Sequence, residues 1–144
     1  MVINVFKILI LISISIATFC NAKEELLFSV DNSVVTTIDL NQRINYLNII
    51  NNFNKNTIDK KEHIDDLISI KLFDVYAIRN NIEIQKKIIE SIFDDISKSN
   101  QKTLEELIKK KKLTKKIILK NIRYDLQRKN IIEKFIKERI NNID

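Results

Sequence analysis

The side chains able to do chemistry are few in this chain, and their spacing does not suit catalysis. His63 is the only histidine and Cys20 the only cysteine, so a zinc site or a Ser/His or Cys/His nucleophile pair lacks its parts. Glycine is absent altogether, and phosphate-cradling loops and dinucleotide turns depend on glycine for close backbone approach. Asp65-Asp66, Asp94-Asp95 and Glu105-Glu106 are adjacent in helical stretches. Neighbours on a helix point about 100° apart and do not converge on one site as a general acid and base do. These carboxylates, like His63, read as solvated charges. No catalytic residue, metal site or cofactor is predicted, and the chain is not expected to be an enzyme.

Charge is distributed more informatively. Lys102 to Asp144 carries 14 Lys plus Arg against 6 Asp plus Glu, a net of +8, whereas Lys23 to Gln101 carries 10 against 13, a net of −3. Lys109, Lys110, Lys111, Lys112, Lys115 and Lys116 are the candidates to face an anion, whether acidic polypeptide, lipid head groups, lipopolysaccharide or nucleic acid. Two plainer readings stand beside that one: a solvated helix surface, or an acidic partner within the chain itself.

The elements that must hold these residues are mostly helical. The 144 residues are 44% hydrophobic and include neither Gly nor Pro, which excludes collagen-like, flexible-linker and Pro-rich chains. One domain is the default at this length. Residues 1–22 have the order of a secretory signal, with Lys7, an apolar run from Ile8 to Phe19 and small Ala22 before Lys23. Cleavage after Ala22 and export to the periplasm are therefore expected, with an uncleaved anchor as the alternative. Leu26 to Thr37 reads as a β-hairpin turning at Asp31-Asn32.

Helix periodicity follows. A first helix starts at Thr37 or Ile38, carries Leu40, Ile44, Leu47, Ile50 and Phe53 on one face, and ends in the Asn51, Asn52, Asn54 cluster. A second runs from about Asp59 to Asn80 and buries Ile64, Leu67, Ile68, Leu72, Val75 and Tyr76. A third, about Gln85 to Ser99, presents Ile88, Ile89, Ile92, Phe93 and Ile96. Thr103 and Glu106 form a capping-box pattern for a short fourth helix. Thr114 opens a fifth, in which Ile118, Ile122, Leu126, Ile132, Phe135, Ile136 and Ile140 recur at helical spacing. At about 28 residues that helix would run roughly 40 Å. Its far end, from Ile131 to Ile143, follows the last element able to cover it. The fold class is mainly α: a small N-terminal hairpin packed on about five helices, the last one long.

This order of elements resembles the N-terminal domain of SurA-like periplasmic chaperones. The resemblance rests on Leu67-Ile68-x-x-Lys71-Leu72, Asn81-Ile82-x-Ile84, Thr103-Leu104-x-x-Leu107 and Ile122-Arg123-x-x-Leu126, and it spans nearly all of Leu27 to Ile140. It implies a non-enzymatic holdase that binds unfolded, aromatic-rich segments of outer-membrane proteins or other extended polypeptides without ATP. In that family a parvulin-type prolyl isomerase domain usually follows; here the sequence ends at Asp144, so no isomerase activity is expected. Also missing is the family's returning C-terminal segment, so a homodimer or a separate envelope partner is expected to cover the apolar surface. Candidate peptide- or partner-binding residues are Phe28, Leu47, Phe53, Ile132, Phe135 and Ile136. The alternative function is a basic helical module that binds an anionic membrane surface or nucleic acid, and export argues against nucleic acid as a partner.

Overall fold

The computed structural model describes residues 24–50, 59–110 and 112–141. The predicted leader at 1–22, Phe53 with the expected end of the first helix, Lys111 and Ile143 lie outside the described residues. The described residues form a two-stranded antiparallel hairpin and five helices: β1 (Leu26–Val30), β2 (Ser33–Thr36), α1 (Thr37–Ile50), α2 (Lys60–Arg79), α3 (Lys86–Ser99), α4 (Gln101–Lys109) and α5 (Lys115–Asn141). This is the mainly α architecture expected from the periodicity.

The local signals explain most boundaries. Asp31 turns the hairpin with φ 54°, a left-handed conformation that Asp tolerates better than most side chains. Val30 pairs with Ser33 and Phe28 with Val35, with a bulge before Leu26 meets Thr36. Asp39 accepts from the backbone N–H of Thr36 at 3.1 Å and from its hydroxyl at 3.2 Å, so α1 begins at Thr37, as expected, behind half of a capping box. Asp59 caps α2, accepting from the Lys61 N–H. The other end of α2 closes at Asn81, φ 52°, where the Ile82 N–H donates to the Ala77 carbonyl at 2.9 Å, the six-to-one bond of a Schellman motif.

Thr114 caps α5 through its hydroxyl, which accepts from the Ile117 N–H at 3.3 Å. At α4 the expectation fails. The helix starts at Gln101 with Asn100 at the cap, so Thr103 stands inside its first turn and is not the cap; Asn100 also ends α3, and no separate start signal is needed where one residue serves both helices.

Two apolar clusters make the core. The larger joins Tyr46 and Ile49 of α1, Leu104 of α4, and Leu113, Ile118 and Ile122, with the inner face of α3 against it. The smaller joins Val35 of β2, Leu40 of α1 and Leu67 of α2 beneath the hairpin.

The buried faces differ from the predicted ones in two helices. On α1 the buried residues are Leu40, Arg43, Tyr46 and Ile49; Ile44, Leu47 and Ile50 are only half-buried. On α2 they are Leu67, Ile70, Lys71 and Ala77, and the predicted core residue Leu72 is exposed. A helix of isoleucines and leucines is apolar over a wide arc, and the neighbouring helices select which part of it they cover. Among the described residues, no helix is long and apolar enough to cross a membrane.

Candidate binding site

A charged clasp ties α1, α2 and α5 together. Arg43 is 1% exposed. Its Nε donates to Asp66 at 2.8 Å, and its two terminal nitrogens grip Asp125 at 2.8 and 3.2 Å. Nη1 also donates to the Asn121 side-chain oxygen at 3.2 Å. Arg128 closes the ring on Asp66 at 2.7 Å. The Tyr46 ring lies 5.3 Å from the Arg43 guanidinium carbon.

Two cations therefore meet two carboxylates in a half-dry setting, where paired charges are tolerated because each is hydrogen-bonded. Burial disfavours the Arg43 charge, but the bonds and charges of Asp125 and Asp66 outweigh it and raise the group above its ordinary value. Burial likewise opposes ionisation of Asp66, but Arg43 and Arg128 more than compensate and hold its carboxyl below the usual range. Asp66 is thus an interhelical anchor and not the free solvated charge expected of the Asp65-Asp66 pair. Burial, reinforced by Asp125, pushes the Tyr46 phenol well up.

Fixed by that clasp, α2 and α5 leave an apolar groove between them. It measures about 430 Å³ and is lined by Ile68, Ser69, Leu72, Phe73, Tyr76 and Phe135, with Asp65 at its edge. The Tyr76 and Phe135 rings meet at 5.5 Å, tilted by 55°. Leu72 is 55% exposed, Phe135 47% and Ile136 54%; Ile132 and Ile140 are open too. Ile132, Phe135 and Ile136 are spaced i, i+3, i+4 and share one face; of these three predicted residues Phe135 lines the groove, and Ile132 and Ile136 lie exposed beside it on the same helix. Phe28 and Leu47 do not. Phe28 packs on the hairpin core and Leu47 on the larger core, so both serve the fold.

The basic residues divide in the same way. Lys109, Lys110 and Lys112 are exposed, and Lys110 pairs with Glu106 one turn away. The Lys115 ammonium sits 4.7 Å from the centre of the Phe93 ring. Lys116 lines a groove, about 350 Å³ between α3 and α5, with Lys86, Lys120 and Arg123 around Ile89 and Leu119. Beside it Tyr124 is contacted by three cations, Lys71, Lys120 and Arg123, at 5.2–5.7 Å. Burial, then the charge of Lys120, holds the Lys71 ammonium below its ordinary value. Burial, then the charge of Asp74, pushes the Tyr124 phenol up to about 12.

A third hollow, polar and about 400 Å³, lies where the end of α2 meets α5 and includes Asp74, Arg123 and Gln127. Sequence reasoning missed the clasp and this hollow alike. For the clasp a signal existed: Arg43 falls on the three-residue rhythm Leu40, Arg43, Tyr46, Ile49, a charged residue in an apolar stripe. Nothing comparable marks Arg123 or Gln127.

Comparison with protein-family models, with curated proteins and with solved structures finds no match to this chain.

Proposed function

We propose that this protein is an exported, non-enzymatic holdase that binds extended apolar or aromatic-rich polypeptide segments, unfolded outer-membrane proteins in particular. The observation that carries the reading is the apolar groove of α2 and α5, continued by Ile132, Ile136 and Ile140 along the free end of the last helix. Contiguous apolar surface of this kind is costly in water and marks places where another chain is held. Its walls are wide-set aliphatic and aromatic side chains, which suit many sequences and select none. The resemblance to SurA-like N-terminal domains and the secretory character of residues 1–22 point in the same direction.

The test is suppression of aggregation. An outer-membrane β-barrel protein diluted from urea should scatter less light in the presence of the chain, and the triple variant Ile132→Ser, Phe135→Ser, Ile136→Ser should lose that effect while keeping its helical circular dichroism. Global unfolding of the variant would make these residues core and defeat the reading. Unchanged suppression would move the site elsewhere. Export is checked separately, by finding a mature N-terminus close to Lys23 in the envelope fraction.

The basic groove of Lys86, Lys116, Lys120 and Arg123 favours a second reading, adsorption to an anionic membrane surface. Salt separates the two: attraction to phosphates weakens steeply with ionic strength, and burial of apolar surface does not.

A further inference from the structure

Two grooves flank α5, and they face opposite ways. The apolar one lies between α2 and α5. The basic one lies between α3 and α5, on Lys86 and Ile89 of the first helix and Lys116, Leu119, Lys120 and Arg123 of the second. Arg123 and Ile132 are nine residues apart, which sets them about 180° apart round the helix and about 14 Å apart along it. Lys120 and Ile136, sixteen residues apart, differ by about 160°.

The chemistry of the basic groove narrows what it can hold. Four cations stand there against one carboxylate, Glu90, and that one is already paired with Lys86 at 3.6 Å. Arg123 also reaches Asp74 at 3.5 Å, so most of the unopposed charge is on Lys116 and Lys120, both exposed. Ammonium and guanidinium groups donate and do not accept. The groove therefore offers donors at its rim and the half-buried aliphatic carbon of Ile89 and Leu119 at its floor. An extended acidic peptide would bring backbone N–H groups along with its carboxylates, and those donors would meet donors. Bases of a nucleic acid seek aromatic faces to stack on, and this floor is aliphatic. A phospholipid head group presents acceptors, and the acyl carbon beneath it has no polar atom to satisfy. Lysine and arginine stems laid over apolar surface, with their charges at the level of phosphates, are how side chains settle at a membrane interface.

We infer that the basic groove seats the protein on an anionic phospholipid surface while the apolar groove, on the opposite flank of α5, stays open to a client. The inference rests on the holdase reading of the apolar groove and adds where that groove works. Lipid and client use different faces of one helix, so they do not compete, and the adsorbed chain turns its client side away from the membrane.

The experiment is co-sedimentation of the full chain with vesicles of phosphatidylglycerol and phosphatidylcholine, and with vesicles of phosphatidylcholine alone; residues 1–22 are common to every chain compared. Binding to the anionic vesicles should exceed binding to the neutral ones and fall about tenfold or more between about 0.05 and 0.5 M salt. Lys116→Gln with Lys120→Gln should weaken it about 25-fold, or about fivefold for each charge lost at the surface. Lys134→Gln with Lys137→Gln removes the same charge about 16 Å or more along the helix from Arg123, beyond a Debye length of about 10 Å at 0.1 M salt, and should change binding less than about twofold. Acetylation by a succinimidyl ester, read by mass spectrometry, should slow at Lys116 and Lys120 on anionic vesicles and continue at Lys134 and Lys137. Without vesicles, the Lys116→Gln, Lys120→Gln variant should suppress aggregation as well as the unaltered chain does.

Equal losses from the two double variants would make adsorption a matter of net charge and overturn the inference. Protection of Lys134 and Lys137 would lay the free end of α5 on the lipid and overturn it too. If the chain ignores anionic vesicles but binds polyglutamate through Lys116 and Lys120, the groove takes acidic polypeptide; the lipid assignment falls and the holdase reading stands. If the chain sits on vesicles as described yet suppresses no aggregation, the holdase reading falls and takes the client side of the inference with it.

Discussion

The two halves of α5 carry nearly the same sequence rhythm and live in different surroundings. From Lys115 to Ile131 the helix is enclosed: Ile118, Ile122 and Ile131 are all but inaccessible, and Asn121, Tyr124 and Gln127 are buried beside them. From Ile132 to Asn141 every residue is exposed, although isoleucine and phenylalanine recur there just as regularly. The cause is what lies alongside. The first half is flanked by α1, α3 and α4 in one core and by the Arg43 clasp, whereas beyond Ile131, among the described residues, it is the Tyr76 side of α2 that reaches across. Ion pairs run along the surface of α5, Lys129 with Glu133 across the boundary and Lys134 with Glu138 within the exposed half, at 3.9 and 3.8 Å. Surface pairs of this sort add at most about 0.5 kcal/mol each. Apolar periodicity therefore says that a helix has a face to cover, and says nothing of whether the chain itself covers it.

The contrast can be broken most severely at the clasp. Arg43→Met strands Asp66 and Asp125 without their main cation, and breaking a buried pair from one side costs about 3–5 kcal/mol; urea unfolding should record a loss of that order. Within α5 itself, Ile122→Ala should destabilise by about 2–5 kcal/mol, since it empties a closed core position.

Acid should loosen the clasp more gently. The Asp66 carboxyl is held below its ordinary range, so the unfolded chain takes up the proton first as pH falls. The stability it supplies is complete above about pH 5 and drains away below about pH 4. Asp66→Asn should flatten that part of the curve of urea midpoint against pH. At the alkaline end, absorbance at a phenolate wavelength should show Tyr124 ionising only at about 12, and Tyr124→Phe should remove that step. The smallest effect is expected where the contrast is sharpest. Ile136→Ala should shift stability by no more than about 0.5 kcal/mol, as surface substitutions do, and an unfolding penalty as large as that of Ile122→Ala would show that the free half is covered after all.

Much of this was readable beforehand because it depends on neighbours in sequence. Asp31, Asp59, Asn81 and Thr114 act on backbone groups within a few residues, and each does its work wherever the rest of the chain goes. The hairpin, the element order and the length of α5 follow from them and from the apolar repeat. The Thr103 cap failed because α4 follows α3 directly at Asn100, which leaves Thr103 inside the first turn.

By itself, then, the sequence determined that this is a mainly helical chain with a hairpin at its start and a last helix too long for its neighbours to cover, because propensity, capping and periodicity are local. Only the tertiary structure decided which arc of each helix is core, that Asp66 is an anchor and Asp65 a groove edge, that Phe28 and Leu47 pack half-buried against the two cores, and that Arg123 and Gln127 share a hollow. Those outcomes depend on groups 23 to 82 residues apart in the chain, and burial, ion pairing and hydrogen-bond satisfaction exist only once such groups have met.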